Sequence, residues 1–113
     1  TKTALALFTV AEQKAEFIGE VLTLRRFAEI LLWHDKPEQL EEAPVKPIFI
    51  AALSSALNGD LSDALERFID IILKNKAYQN EAAREACIGI FVMLGPQHEL
   101  TKKYRKRFDM ALY

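Results

Sequence analysis

At 113 residues, half of them hydrophobic and 27% charged, the chain is long enough to bury a core and too apolar to stay disordered. A formal net charge of −1 excludes the overall positive field of a protein that coats nucleic acid or anionic membrane. The single cysteine, Cys87, excludes an internal disulfide and a cysteine-based zinc site, and four glycines with four prolines are too few for a loop-rich β sandwich.

Residues from about Ala4 to Trp33 read as helical. Phe17, Val21, Leu24, Ala28 and Leu31 form one stripe, with Ile18, Leu22 and Phe27 beside it. Glu12, Glu16 and Glu20 recur every fourth residue, as a solvated face does. Gly19 divides the region, either as a turn between two antiparallel helices or as a tolerated glycine inside one long helix, and the repeat described below favours the turn. The N-terminus has no clear signal-peptide form, and the chain starts with Thr1, so a fragment of a longer cytoplasmic protein is expected.

The clearest break runs from Asp35 to Pro47. Pro37, Pro44 and Pro47 cannot lie inside helices, although Pro37 and Pro47 suit a first helical position. Four acids against two lysines make this an acidic surface connection. From Pro47 to Leu57 a small, apolar helix follows, with Ala51, Ala52 and Ala56 allowing close approach of a neighbour. Asn58-Gly59 closes it and Asp60 caps the next helix, in which Leu61, Leu65, Phe68 and Ile72 share a stripe.

Asn80 is the expected N-cap of a helix over 81–94 whose second half, Ala86 to Leu94, is apolar on every side. Such a helix packs between neighbours. The run is far shorter than the ~20 residues of a membrane span. Gly95-Pro96 stops it, and His98 to Leu112 forms the last helix, with Leu100, Tyr104, Phe108 and Ala111 inward. Its other face carries Lys102, Lys103, Arg105, Lys106 and Arg107.

A repeat emerges. Arg26-Phe27-Ala28-Glu29-Ile30-Leu31-Leu32 matches Arg67-Phe68-Ile69-Asp70-Ile71-Ile72-Leu73, and a weaker copy begins at Arg107-Phe108 and ends at Tyr113. Each copy follows a glycine: Gly19, Gly59 or Gly95. The expected architecture is therefore all-α, one domain of antiparallel helical hairpins at about 4–33, 47–76 and 80–113, stacked as a short right-handed solenoid. Phe27, Phe68 and Phe108 should occupy equivalent places in the three second helices.

No constellation for catalysis stands out. Cys87 lies among apolar neighbours and reads as a small buried hydrophobe. His34 and His98 fall in separate connections and read as surface residues, a poor start for a metal site. There is no glycine-rich phosphate loop, no Gly-x-Ser-x-Gly and no His-Glu-x-x-His. We expect no catalytic, metal or cofactor-binding residues, no cofactor and no enzyme. The basic run Lys102, Lys103, Arg105, Lys106 and Arg107 is the candidate partner-binding site, a solvated face or a contact for an acidic partner. The competing reading is a nucleic-acid-associated helical domain using this basic helix.

Ala56 to Phe68 resembles the core of a tetratricopeptide repeat, with Gly59 in the turn, Ala64 at the helix contact and Phe68 as the aromatic. The usual terminal proline is missing, and Lys76 stands near its place. Gly59-Asp60 through Ile72, then Ala82-Ala83-Arg84, Leu94-Gly95-Pro96, Tyr104-Arg105-Lys106-Arg107 and Ala111-Leu112-Tyr113 extend the likeness. Together they resemble the C-terminal domain of bacterial thioredoxin-fused co-chaperones of the chaperedoxin type, over about residues 47–113. Residues 1–46 depart from that pattern, and no Cys-x-x-Cys is present. The resemblance implies a tetratricopeptide-like, non-catalytic protein-interaction module whose partners are chaperones or client proteins.

Overall fold

A computed structural model describes the backbone of residues 2–112 and the side chains of residues 14–112. Every regular element among them is helical. Helix α1 spans Lys2–Leu32, and two short 3-10 turns follow at Trp33–Asp35 and Pro37–Gln39. Then come α2 (Lys46–Leu57), α3 (Leu61–Asn75), α4 (Tyr78–Leu94) and α5 (Glu99–Ala111).

Helices α2 and α3 fold back on each other through the turn that the sequence marks. Gly59 has a φ of 84°, which glycine alone adopts without strain. The Asp60 carboxylate accepts from the Asp63 N–H at 3.1 Å and caps α3. Ser55 of α2 donates to the same Asp63 that takes the Arg67 guanidinium at 2.7 Å, which ties the two helices together beside the turn. No neighbouring atom lies within 4 Å of a Cβ added at Gly59, so a substitution there meets only backbone strain. Gly59→Val should therefore cost about 1–2 kcal/mol in urea unfolding, and Gly59→Asn clearly less. Equal stability of Gly59→Val and the parent would contradict the positive φ.

Helix α4 packs on α3, and α5 closes over both, with Phe108 edge-on to Phe91 at 5.5 Å between ring centres. The core runs through Phe49 and Leu53 of α2, Leu65, Phe68 and Ile71 of α3, Ile90 of α4, and Tyr104 and Phe108 of α5. Ala82, Ala83 and Ala86 are buried, as close helix packing requires. Pro37 opens a 3-10 turn and Pro47 lies in the first turn of α2, the places where a missing N–H costs nothing. The result is an all-α helical-hairpin repeat domain.

The first expected hairpin, at 4–33, does not exist. Helix α1 runs through Gly19 without a break, so five α-helices stand where three hairpins would need six. Thr23 donates its hydroxyl to the Gly19 carbonyl at 3.0 Å, the one-turn contact of a continuous helix. One glycine costs a helix only about 1 kcal/mol relative to alanine, too little to break it without a cap or a proline. Phe27 therefore lies in the same long helix as Gly19 and packs against Gly89 of α4, whereas Phe68 and Phe108 sit in α3 and α5. The three phenylalanines are buried but not equivalent. Glu12 and Tyr113 lie outside the residues whose side chains are described.

Asn80 does not cap α4. Gln79, Asn80 and Glu81 take left-handed φ values of 51°, 57° and 62°, a kink inside the span Tyr78–Leu94, and the right-handed helix runs on from Ala82. Three such residues in a row are strained. Contacts from the acidic connection hold Tyr78 and Gln79, at the head of this segment. The Gln79 side chain accepts from the Glu41 N–H at 2.8 Å and donates to the Gln39 carbonyl at 3.2 Å, and its backbone N–H donates to the Glu41 carboxylate. Tyr78 donates its hydroxyl to the Glu41 carbonyl at 2.7 Å.

Candidate protein-interaction surface

After Gly95-Pro96 the chain restarts at His98, whose Nδ1 accepts from the Leu100 N–H at 3.1 Å. From that start the helical period turns Thr101, Tyr104 and Phe108 inward and leaves Lys102, Lys103, Arg105, Lys106 and Arg107 outside. Tyr104 is the anchor. Its hydroxyl donates to Glu66 Oε1 at 2.9 Å and lies 3.0 Å from Ser62 Oγ, so α3 fixes the rotation of α5.

The five cations then divide. Arg107 grips Glu66 with both guanidinium nitrogens, at 2.8 and 2.9 Å, and lies over the Tyr104 ring at 5.4 Å. It is an interhelix tie. Arg105 leans toward Asp109 at 3.4 Å and across the rings of Phe91 and Phe108 at 5.5 and 5.6 Å. Lys103 sits over the Tyr104 ring at 5.1 Å. Lys102, Lys103 and Lys106 have no carboxylate partner among the described residues. Lys102, Arg105, Lys106, Asp109 and the exposed Met110 line a shallow, open depression. The arrangement offers positive charge beside apolar surface in an open depression.

The Glu66 tie sets an acid limit. Arg107 first, and the Tyr104 hydroxyl second, hold the Glu66 carboxyl below its ordinary 4.5. Ser55 first, and Arg67 second, hold the Asp63 carboxyl below its ordinary 3.8. A carboxyl lowered by folding stabilises the fold above its unfolded value and loses that contribution as pH falls through the folded one. The stability that these two carboxyls contribute should thus be constant above about pH 5 and be lost below it. Glu66→Gln should flatten part of that fall when urea midpoints are compared between pH 6 and pH 3.

The other candidates resolve as follows. Cys87 is fully buried, and desolvation pushes its thiol above the ordinary range. His34 lies 3.5 Å from Asp35 in a 3-10 turn, and His98 caps α5. Among the described residues no group of three His, Cys, Asp or Glu side chains is placed to hold a metal ion. No described helix is long and apolar enough to cross a membrane. The acidic connection is partly used up, because Glu41 binds the start of α4 and Glu42 pairs with Lys46. Sequence patterns did not reveal Ser62 and Glu66 as partners of α5, or Arg26 as the partner of Glu85 at 2.6 Å between α1 and α4. Glu66 lies 41 residues from Arg107, and no local spacing signals that pair.

A family model described as Tetratricopeptide repeat matches residues 37–113, from the first proline turn through α5. It leaves α1 outside. No curated protein and no solved structure matches the chain.

Proposed function

The chain belongs to the tetratricopeptide repeat family, and from that premise we propose that it is a non-catalytic module that binds protein partners through the outer face of α5. Tetratricopeptide repeats in general mediate contacts between proteins. The observation that carries the reading is the division of the basic run. Arg107 is spent on Glu66, whereas Lys102, Lys103 and Lys106 stand without carboxylates beside the exposed Met110. Three solvated ammonium groups next to apolar surface suit a partner segment that mixes acids with apolar residues. The resemblance over residues 47–113 supports a finer version. In it, the module is the C-terminal part of a thioredoxin-like co-chaperone, and it contacts chaperones and unfolded clients in the cytoplasm.

The test is a titration of a labelled acidic, amphipathic peptide, with a chemically unfolded client assayed in parallel by light scattering. Charge reversal at Lys102, Lys103 and Lys106 together should weaken peptide binding about tenfold or more and leave helix content unchanged. Binding should also weaken with salt. The same reversal leaving both readouts unchanged would remove α5 from the interface. Tight, salt-dependent capture of single-stranded RNA, without peptide or client binding, would favour the nucleic-acid reading.

A further inference from the structure

Helix α1 has two apolar faces, and the fold uses one. Thr23, Arg26, Phe27 and Ile30 turn toward the body. There Arg26 pairs with Glu85 at 2.6 Å and Phe27 sits against Gly89. On the other side Phe17 is 66% exposed, Ile18 58%, Val21 46%, Leu24 37% and Leu32 64%. Residues 14–22 are exposed throughout, so this part of α1 stands clear of the body. The long axis of the molecule is 57 Å against 27 Å for each of the others, and its radius of gyration, 16.1 Å, exceeds the ~13 Å of an equally long compact domain.

The outer stripe has a period. Phe17, Val21, Leu24 and Ala28 are spaced four, three and four residues apart, the repeat of a two-helix seam, and Leu31, three residues on, packs at the edge of the core where the stripe ends. In the sequence the same spacing runs back through Lys14 to Val10 and Leu7. A single lysine at a seam position is a register device in such pairs. A helix face that meets only water has no reason to keep apolar residues at this period.

The charges beside the seam select the partner and its direction. Glu20 lies on one flank and Arg25 on the other, five residues on. Glu20 has no ionic partner among the described residues, and Arg25, 77% exposed in its side chain, makes only a loose contact to Glu29 at 3.6 Å. In a parallel pair of identical helices, the acid of one copy meets the base of the other, twice by symmetry. In an antiparallel pair like flanks meet, and Glu20 and Arg25 never face each other. We propose that the outer stripe of α1 is a self-association surface, and that a second copy of this chain covers it as a parallel two-helix coiled coil.

This surface lies outside the matched repeat region and opposite the part of α1 that packs on α4, so it is independent of the α5 face. Sedimentation equilibrium over a dilution series tests it. A reversible dimer is expected. Val21→Glu and Leu24→Glu should each raise its dissociation constant by at least about tenfold, with helix content and urea midpoint retained because both side chains face water. Glu20→Arg and Arg25→Glu should each weaken the dimer, and the two combined in one chain should restore it. A monomeric mass across the whole series would overturn the proposal, as would a dimer indifferent to Leu24→Glu. Failure of the double reversal to restore pairing would overturn the parallel arrangement. Monomers that float with vesicles of phosphatidylcholine and phosphatidylglycerol, and lose that with Leu24→Glu, would assign the stripe to a membrane surface instead.

Discussion

Phe49→Ala should lose about 3–5 kcal/mol of unfolding free energy, the largest effect expected of a single truncation here. Phe49 is fully buried. Its ring meets three others: Trp33 at 6.2 Å, Phe68 at 5.8 Å and Tyr78 at 5.5 Å between centres, the last two edge-on. Those partners come from the 3-10 turn after α1, from α3 and from the start of α4. The ring thus joins the long helix, the first hairpin and the second. Truncation removes the transfer term and leaves a cavity walled by stiff aromatic groups that collapse poorly. A domain of this size holds only about 5–15 kcal/mol in total, so the variant should be close to unfolding at growth temperature. Urea unfolding read by Trp33 fluorescence reports both the loss and the loosening of the nearest ring. Phe49→Leu keeps most of the volume and should lose less than half as much. A loss below about 1 kcal/mol for the alanine variant would mean that the aromatic cluster is not a joint of the fold.

Tyr78 links this cluster to the acidic connection. Burial first, then Glu41 and Glu42, pushes its phenol above the ordinary 10.0. Its hydroxyl, given to the Glu41 carbonyl, helps to keep Gln79, Asn80 and Glu81 left-handed. Nothing in the local sequence announces that segment. It contains no glycine, and the bonds that hold it come from residues about 40 positions upstream. Asn80 reads as a cap because asparagine is a good cap. Here the tertiary bonds of Gln79 decide the backbone instead.

The hairpin of α2 and α3 was legible for the opposite reason. Gly59, the Asp60 cap and the stripe Leu61, Leu65, Phe68 and Ile72 are all local, and each agrees with the others. The stop at Gly95-Pro96 and the inward turn of Tyr104 and Phe108 are of the same kind. Helix α1 was less legible. Its apolar residues spread around most of the circumference, so periodicity alone does not say which face meets the body. The stripe with the best spacing, Phe17, Val21 and Leu24, faces water, and the buried contact is Phe27 with Ile30. What decides the choice is Gly89, which lies 62 positions after Phe27 and makes room for its ring. The basic run on α5 shows the same limit. Its composition marks a charged face, and only the fold shows that Arg107 belongs to Glu66 while three lysines remain open.

Gly89→Ala tests that decision. In a helix this change ordinarily gains about 1 kcal/mol of propensity. Here it should lose about 1–2 kcal/mol net. An added Cβ would lie 2.6 Å from the Phe27 Cβ, 2.8 Å from its Cγ and 3.3 Å from its Cδ1. Carbon atoms in contact need about 3.5–4.0 Å, so something must move by roughly 1 Å. The nearest obstacle is a Cβ fixed to the backbone of α1, and no rotamer change relieves it. Helix α1 must therefore shift away from α4. That shift strains the Arg26–Glu85 pair and exposes the fully buried Ile30. Hydrogen exchange should accelerate from Thr23 to Leu32 while α3 and α5 stay protected. Because the closest atom is the Phe27 Cβ, Phe27→Ala should not rescue the variant, whereas Phe27→Gly should relieve the clash at its own cost in packing. A Gly89→Ala protein more stable than the parent, with unchanged exchange in α1, would show that α1 does not seat on Gly89.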